Sequence, residues 1–234
     1  MNNNDIFNYA LTIASKDDRG NTISPDERTY LLQKVSNMFF NDKCKEFEKS
    51  RIIGDALIDL VKELSVTTDS SGVASVPNDY VHLLPFMYGS KAVDVVSKSE
   101  SITRRGSVIL SPSDDNPICS VFNSNLNFYP QQVYTDAEIM YIAQPTPPFF
   151  DYYVDANGYT KYLTAGQIYT LQEDEVYRDG TTSGQVTSIS KELEFPDNYK
   201  DQVTDYLITQ IGIYLEDQGL VQLGAKEESK TLQP

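Results

Sequence analysis

The sequence predicts an α+β fold, with helices at both ends of the chain and a β-rich middle between them. Three observations lead there. Apolar residues recur at helical spacing up to about residue 64 and again from 196, the period falls to two between them, and Pro and Gly punctuate that middle at short intervals. The 234 residues suffice for one large or two small domains. The expected organisation is one compact domain. It comprises a helical segment over 1–64, the β-rich middle over 65–195, a C-terminal helix over 196–219 packed on the N-terminal helices, and a tail over 220–234.

The first element follows from "NDIFNYALTIAS" at 4–15, which places Ile6, Phe7, Ala10, Leu11 and Ala14 on one helical face behind an Asn/Asp cap. A second helix starts at "SPDE": Ser24 as N-cap, Pro25 in the first turn and Glu27 completing a capping box. It should run to about Lys49 and bury Leu31, Val35, Met38, Phe39 and Phe47. Over 51–64, Ile53, Leu57, Leu60 and Leu64 fit a helix that Gly54 weakens by roughly 1 kcal/mol. From there strands are expected: a hairpin in "LSVTTDSSGVASVP" turning on Asp69–Gly72, then "KAVDVVSK", "SVIL", "LNFYP" and "EIMYIAQP". "YYVDANGYTKYL" predicts another hairpin, with Asn157-Gly158 as a primed two-residue turn. "RDGTTSGQVTSIS" reads as a loop into a last strand. From Pro196, the residues Tyr199, Val203, Tyr206, Leu207, Gln210, Ile211 and Tyr214 or Leu215 trace one face of a helix ending near Gly219.

A phrase occurs twice, "VPNDY" at 76–80 and "FPDNY" at 195–199. In each, Pro lacks the N–H that would continue a ladder, the Asx pair can satisfy free backbone donors, and Tyr can anchor the bend through its ring. Pro77, Tyr80, Pro196 and Tyr199 are therefore expected to be structural corners where the chain passes between sheet and helix.

The formal charge is −15, from 34 acids against 19 bases. Residues 16–51 are nearly balanced, with 8 bases and 7 acids, whereas 52–234 hold 11 bases and 26 acids. Such a body repels phosphates, which argues against tight nucleic-acid binding and suits a surface past which DNA slides. The start, Met-Asn-Asn-Asn-Asp, lacks the basic and apolar regions of a secretion signal, and no apolar run approaches the roughly 18 residues of a membrane span. The expectation is a soluble protein made in a cytoplasm. Cys44 and Cys119 stand far apart without a CxxC companion, so both read as reduced thiols.

The residues offer little chemistry. His82 is the only histidine, which excludes or cripples a Ser-His-Asp, Cys-His or multi-histidine metal site within one chain, and beside "DY" and "LLP" it reads as a structural residue rather than a general base. Glu173, Asp174 and Glu175, or Asp114 and Asp115, are adjacent acids rather than carboxylates facing across a cleft. "DANG" at 155–158 lacks the spacing of a calcium loop. No enzyme activity, cofactor or metal is expected. The positive signal is aromatic: 16 Tyr and 10 Phe without Trp. In "QPTPPFFDYY" a Pro-rich stretch is expected to project Phe149, Phe150, Tyr152 and Tyr153 towards a protein partner.

Taken in order, "ISPDERTYLLQKVSNMFFNDKCKEFE", "VPNDYVHLL", "ITRRGSVILSPSDDNPICSV", "LNFYP", "MYIAQPTPPF" and "LEFPDNYKDQVTDYLITQIGIYLED" resemble the head–tail connector (adaptor or ring) proteins of short-tailed bacteriophages, particularly crAss-like phages of gut bacteria. The resemblance spans roughly residues 23–219 and rests on the order of its motifs. It implies a structural virion protein, forming a ring, commonly a dodecamer, beneath the portal protein in the phage neck. Its partners would be itself, the portal and the next neck or tail ring, with DNA in transient, non-specific passage and no membrane. The family carries no active site to transfer. Its C-terminal segment often reaches along the neighbouring ring, which makes Leu220 and Leu223 in the tail interface candidates. The other reading of an aromatic, β-rich, acidic chain is a glycan- or receptor-binding accessory module, against which the missing Trp and the long capped helices count.

Overall fold

The structure is a computed structural model that describes residues 2–14, 23–50, 52 and 54–214. The expected tail, with Leu220 and Leu223, and the expected helix end near Gly219 lie outside these residues. Helices make up both ends and strands the middle, so the fold is α+β. No helix among the described residues is long and apolar enough to cross a membrane.

Helix α1 spans Asn3–Ala14 and α2 spans Pro25–Ser50. Both begin as the sequence dictates. The Asp5 amide donates to Asn2 Oδ1 at 2.8 Å, and at α2 the Ser24 amide donates to Glu27 Oε2 at 2.7 Å while the Glu27 amide donates to Ser24 Oγ at 3.4 Å. In α2 the buried face contains Leu31, Leu32, Val35, Ser36, Phe39, Phe40, Cys44 and Phe47, whereas Met38 is half-buried. The helix expected over 51–64 is replaced by a 3₁₀ turn, Asp55–Leu60, and strand β1, Val61–Val66. Leu64 faces Ile139 across a ladder, so long-range pairing overrides the local helical spacing.

Seven further strands follow: β2 (Val73–Ser75), β3 (Tyr80–Leu83), β4 (Phe86–Tyr88), β5 (Lys91–Val95), β6 (Ile118–Phe122), β7 (Asn125–Tyr129) and β8 (Ala137–Ala143). They form one sheet in the order β1-β8-β4-β5-β6-β7-β2, with β3 also paired to β8. The hairpin expected at 64–77 does not form. Its turn is present, with Gly72 N donating to Asp69 O at 3.0 Å, but β1 pairs with β8 and β2 with β7. Gly72 is required there, because its φ is +74° and a Cβ would stand 2.7 Å from the Phe128 carbonyl oxygen.

β5 and β6 are parallel, and a parallel pair needs a crossover. Helix α3, Lys98–Arg105, supplies it where no helix is expected, capped by Ser97, whose Oγ accepts from Glu100 N at 3.2 Å. "SVIL" is a turn beyond this helix and not a strand. The sheet packs Val66, Leu83, Phe86, Val93, Leu126, Phe128, Tyr134, Ile139 and Tyr141 into one core.

From Asp151 the chain forms β9 (Asp151–Val154), β10 (Thr160–Leu163), β11 (Ile168–Thr170), β12 (Val176–Tyr177) and β13 (Gln185–Thr187), then a 3₁₀ turn at Asp197–Tyr199 and α4, Lys200–Tyr214. The β9–β10 hairpin forms as expected. Its loop is longer than the two-residue turn: Val154 pairs with Thr160, and Asp155 Oδ1 accepts from Asn157 N and Tyr159 N at 3.0 and 2.9 Å. Only Gly158 in it takes a positive φ.

The chain divides into two compact units, Leu60–Gln144, and the residues up to Asp59 with those from Pro145. The middle expected over 65–195 as part of one domain is thus split. The first unit leaves and rejoins the chain at adjacent points, since Val61 and Ile142 face each other in the β1–β8 ladder. In the other unit, α4 packs on α1 and α2 as expected.

Candidate interaction surfaces

The Pro-rich aromatic segment is used inside its own unit. Phe149 and Lys191 exchange both backbone hydrogen bonds at 3.0 Å, Gln33 Nε2 of α2 donates to Pro148 O at 3.0 Å, and Thr146 N donates to Glu194 Oε2 at 2.7 Å. Phe150 is 3% exposed, edge-on to Phe7 and Tyr162 with centroids at 5.8 and 5.5 Å. It is a core side chain and not available to a partner. Tyr153 stacks on Tyr169 at 4.4 Å, Tyr152 meets Tyr162 at 6.4 Å, and the Arg178 guanidinium lies 5.3 Å over the Phe149 ring. These three are half-buried.

Asp151 explains why the segment is so fixed. Its carboxylate is fully buried, yet it accepts from Tyr152 N at 3.0 Å, Ile189 N at 2.9 Å, Arg178 Nε at 3.2 Å and the Tyr177 hydroxyl. Its own amide donates to Ser190 Oγ at 2.8 Å, which passes on to Leu163 O at 2.7 Å. One carboxylate therefore joins β9, β12 and the chain after β13, while the Asp151 amide reaches β10 through Ser190. Burial, and then the bond to Asp151, pushes the Tyr177 hydroxyl up to about 12. Every acceptor direction of Asp151 is taken by the protein, so its role is architectural. Glu175 is similar: 8% exposed, it accepts from Tyr169 Oη at 3.0 Å and Gln172 N at 2.8 Å.

The two Pro-Asx-Tyr phrases share one backbone device. Tyr80 N donates to Pro77 O at 3.2 Å and Tyr199 N to Pro196 O at 2.9 Å. The first corner opens into β3 and the second into α4, and both tyrosines are half-buried. At the first, Asp79 accepts from Lys62 Nζ at 2.6 Å and Tyr141 Oη at 3.1 Å, with Lys62 the main reason its carboxyl lies below its ordinary range. At the second, Lys200 Nζ reaches Asp197 at 2.6 Å and Tyr199 packs beside Phe39 at 6.1 Å. His82 is half-buried in β3 opposite Ile142. Among the described residues no His, Cys, Asp and Glu side chains cluster so as to hold a metal ion.

The surface that sequence reasoning missed is the turn after α3. Val108, Ile109 and Leu110 are 99%, 91% and 61% exposed. Their backbone is nonetheless held, because Ser107 Oγ accepts from Ile109 N at 3.2 Å and Leu110 N at 3.1 Å, and Ser107 N donates to Arg104 O at 3.0 Å. Single exposed aliphatics are ordinary, but a consecutive run on a fixed turn marks a contact surface. Its apolar composition reads as a short strand. The capping signal Ser97-x-x-Glu100 and the stop at Gly106 could have shown otherwise.

A second feature lies on the solvent face of the same sheet. Period-two alternation points Phe86 and Val93 inward and Met87, Ala92 and Asp94 outward. The register sets Glu63 opposite Met140 and Glu138 opposite Met87. Together with Pro85 these line a groove of about 350 Å³, within the roughly 300–1,000 Å³ of pockets that hold ligands. Its apolar lining includes Phe86, Val93, Met87, Met140 and Ala92, and its carboxylates are Glu63, Asp94 and Glu138. Asp94 is paired to Arg104 Nη1 of α3 at 2.9 Å. No protein-family model matches the chain, and comparison with curated proteins finds no relative.

Proposed function

We propose that this chain is a non-enzymatic structural subunit of a bacteriophage virion, forming a ring in the neck between portal and tail through which the genome passes. The observation that carries this reading is the consecutive exposed run Val108-Ile109-Leu110 on a hydrogen-bonded turn, which presents apolar surface suited to assembly in an otherwise acidic chain. The order of motifs from Ile23 to Asp217 supports the same assignment by resemblance. A ring built from identical subunits uses heterologous contacts, in which one patch meets a different patch on the neighbour. The net charge of −15 suits a channel that DNA must traverse without adhering.

The test is quantitative mass spectrometry of purified virions from the source of the sequence. The expected result is this protein in a small whole-number ratio to portal protein. Absence from the particle overturns the assignment and favours a free accessory binding module.

A further inference from the structure

The exposed tip and the Met-lined groove are complementary in apolar character and charge. The tip is convex and aliphatic, and the helix that carries it brings Lys98, Arg104 and Arg105 against a single acid, Glu100, in a chain whose remainder is strongly acidic. The groove is lined by apolar side chains together with three carboxylates. Methionine side chains are unbranched and polarizable, so Met87, half exposed, and Met140 can mould to a branched aliphatic insert.

The charges narrow the occupant. Arg104 is committed to Asp94 and Glu100 of its own chain, at 2.9 and 2.7 Å. Arg105 is exposed and lies 4.5 Å over the Tyr129 ring, with its charge directed to solvent rather than to a carboxylate among the described residues. Glu63 and Glu138 likewise make no ion pair among the described residues. An incoming segment that fits therefore needs aliphatic side chains and a nearby cation, and the chain itself carries such a segment.

We infer that the Val108-Ile109-Leu110 tip of one copy seats in the Met87/Met140 groove of a second copy, with Arg105 of the first meeting Glu63 and Glu138 of the second. This rests on the ring reading and names the contact that would build it. The tip buries its aliphatics, the groove loses exposed Met surface, and one cation offsets carboxylates that otherwise repel a neighbour of the same sign. A tip on one copy and a groove on the next is a two-patch contact, which repeats around a ring without a separate partner.

The experiment mixes two full-length variants, Ile109→Cys and Met87→Cys, under mild oxidation, with Thr182→Cys in place of Met87→Cys as an exposed control. The native thiols Cys44 and Cys119 are buried and do not compete. A disulfide-linked pair that forms in the first mixture and not in the control supports the inference. In parallel, light scattering of wild type and Ile109→Asp should show a mass falling from oligomer to monomer, while circular dichroism and thermal midpoint are preserved. Arg105→Glu should weaken self-association at least tenfold at low salt, and Glu138→Arg on the partner should restore it.

If wild type assembles, Ile109→Asp assembles equally well and no cross-link forms, the tip–groove contact is wrong and the ring reading survives. If wild type stays monomeric at high concentration with no cross-link, both fail. A cross-linked pair that never exceeds a dimer upholds the contact and removes the ring. Flotation of wild type with anionic vesicles, lost in Ile109→Asp and without any cross-link, would mean that the tip serves a lipid surface, and it would overturn the inference.

Discussion

Two short segments exchange the roles that their compositions suggest. Residues 145–153 are Pro-rich and aromatic, the composition of a docking arm, yet they are held by α2, by the chain at 188–194 and by the buried Asp151 carboxylate. Residues 107–110 have the composition of a buried strand, yet Val108, Ile109 and Leu110 stand exposed on a turn. Composition reports what a side chain can do; where the backbone donors and acceptors find partners decides what it does. Aromatic residues with a fixed neighbour on each face become core, and aliphatic residues beyond a crossover helix have no ladder to join.

The sharpest way to break this comparison is at Asp151. In Asp151→Ala the Tyr177 hydroxyl, the Arg178 guanidinium and the Ile189 amide lose their shared acceptor inside the protein. Removing one member of such a buried charged network costs about 3–5 kcal/mol. A large drop in the urea midpoint is expected, with aromatic ellipticity lost from the Tyr-rich sheet. A loss below about 1 kcal/mol would mean that the segment is not anchored as described. Phe150→Ala should cost a comparable amount, about 3–5 kcal/mol, because the ring is buried against Phe7 and Tyr162. Phe149→Ala, half-buried and covered on one face by Arg178, should cost clearly less.

These contrasts show what the sequence could and could not carry. Both helix starts at the N-terminal end were legible because capping is a local device, read from Ser24 and Glu27 at α2 and from the Asn/Asp cluster at α1. The β9–β10 hairpin was legible for the same reason, since Asp155 and Gly158 close it within five residues. The strand β1 was not, because its partner β8 lies some 75 residues away and nothing near Val61 announces it. The helix α3 was hidden differently: its only large apolar residue is Ile102, itself exposed, so periodicity had nothing to count. The interface candidate Phe150 went inside on a third ground. Whether Phe150 faces a partner or Phe7 depends on α1, which enters from the far end of the sequence.

A smaller effect separates the two segments by pH. The Tyr177 hydroxyl, raised from its ordinary value of 10.0 to about 12 by burial and then by Asp151, stays neutral in the fold when it would ionise in the unfolded chain. The unfolded state then binds fewer protons between those values, so the stability it lends is complete below pH 10 and is lost as the pH rises towards 12. Thermal midpoints of wild type should fall more steeply above pH 10 than those of Tyr177→Phe, which has no proton to lose there. Equal slopes would show that the Tyr177–Asp151 bond is not maintained. The tip contains no titratable side chain between Ser107 and Leu110, so Ile109→Ser should not alter the slope at all.

The smallest expected change is at the tip, and its smallness is the informative part. Val108 and Ile109 lose almost no accessible surface on folding, so replacing either by Ser removes no burial and opens no cavity. The turn is held by Ser107 Oγ and backbone groups, which the substitutions leave in place. The stability of the dilute protein should therefore shift by no more than about 0.5 kcal/mol, as for other surface positions. A core strand would answer with several kcal/mol, so a large loss would return these residues to the interior. Concentration adds the second half of the argument. If the tip seats in another copy, association stabilises the wild-type fold by mass action and its melting temperature rises with protein concentration. Ile109→Ser should melt at one temperature across the same dilution series, matching wild type when dilute and falling below it when concentrated.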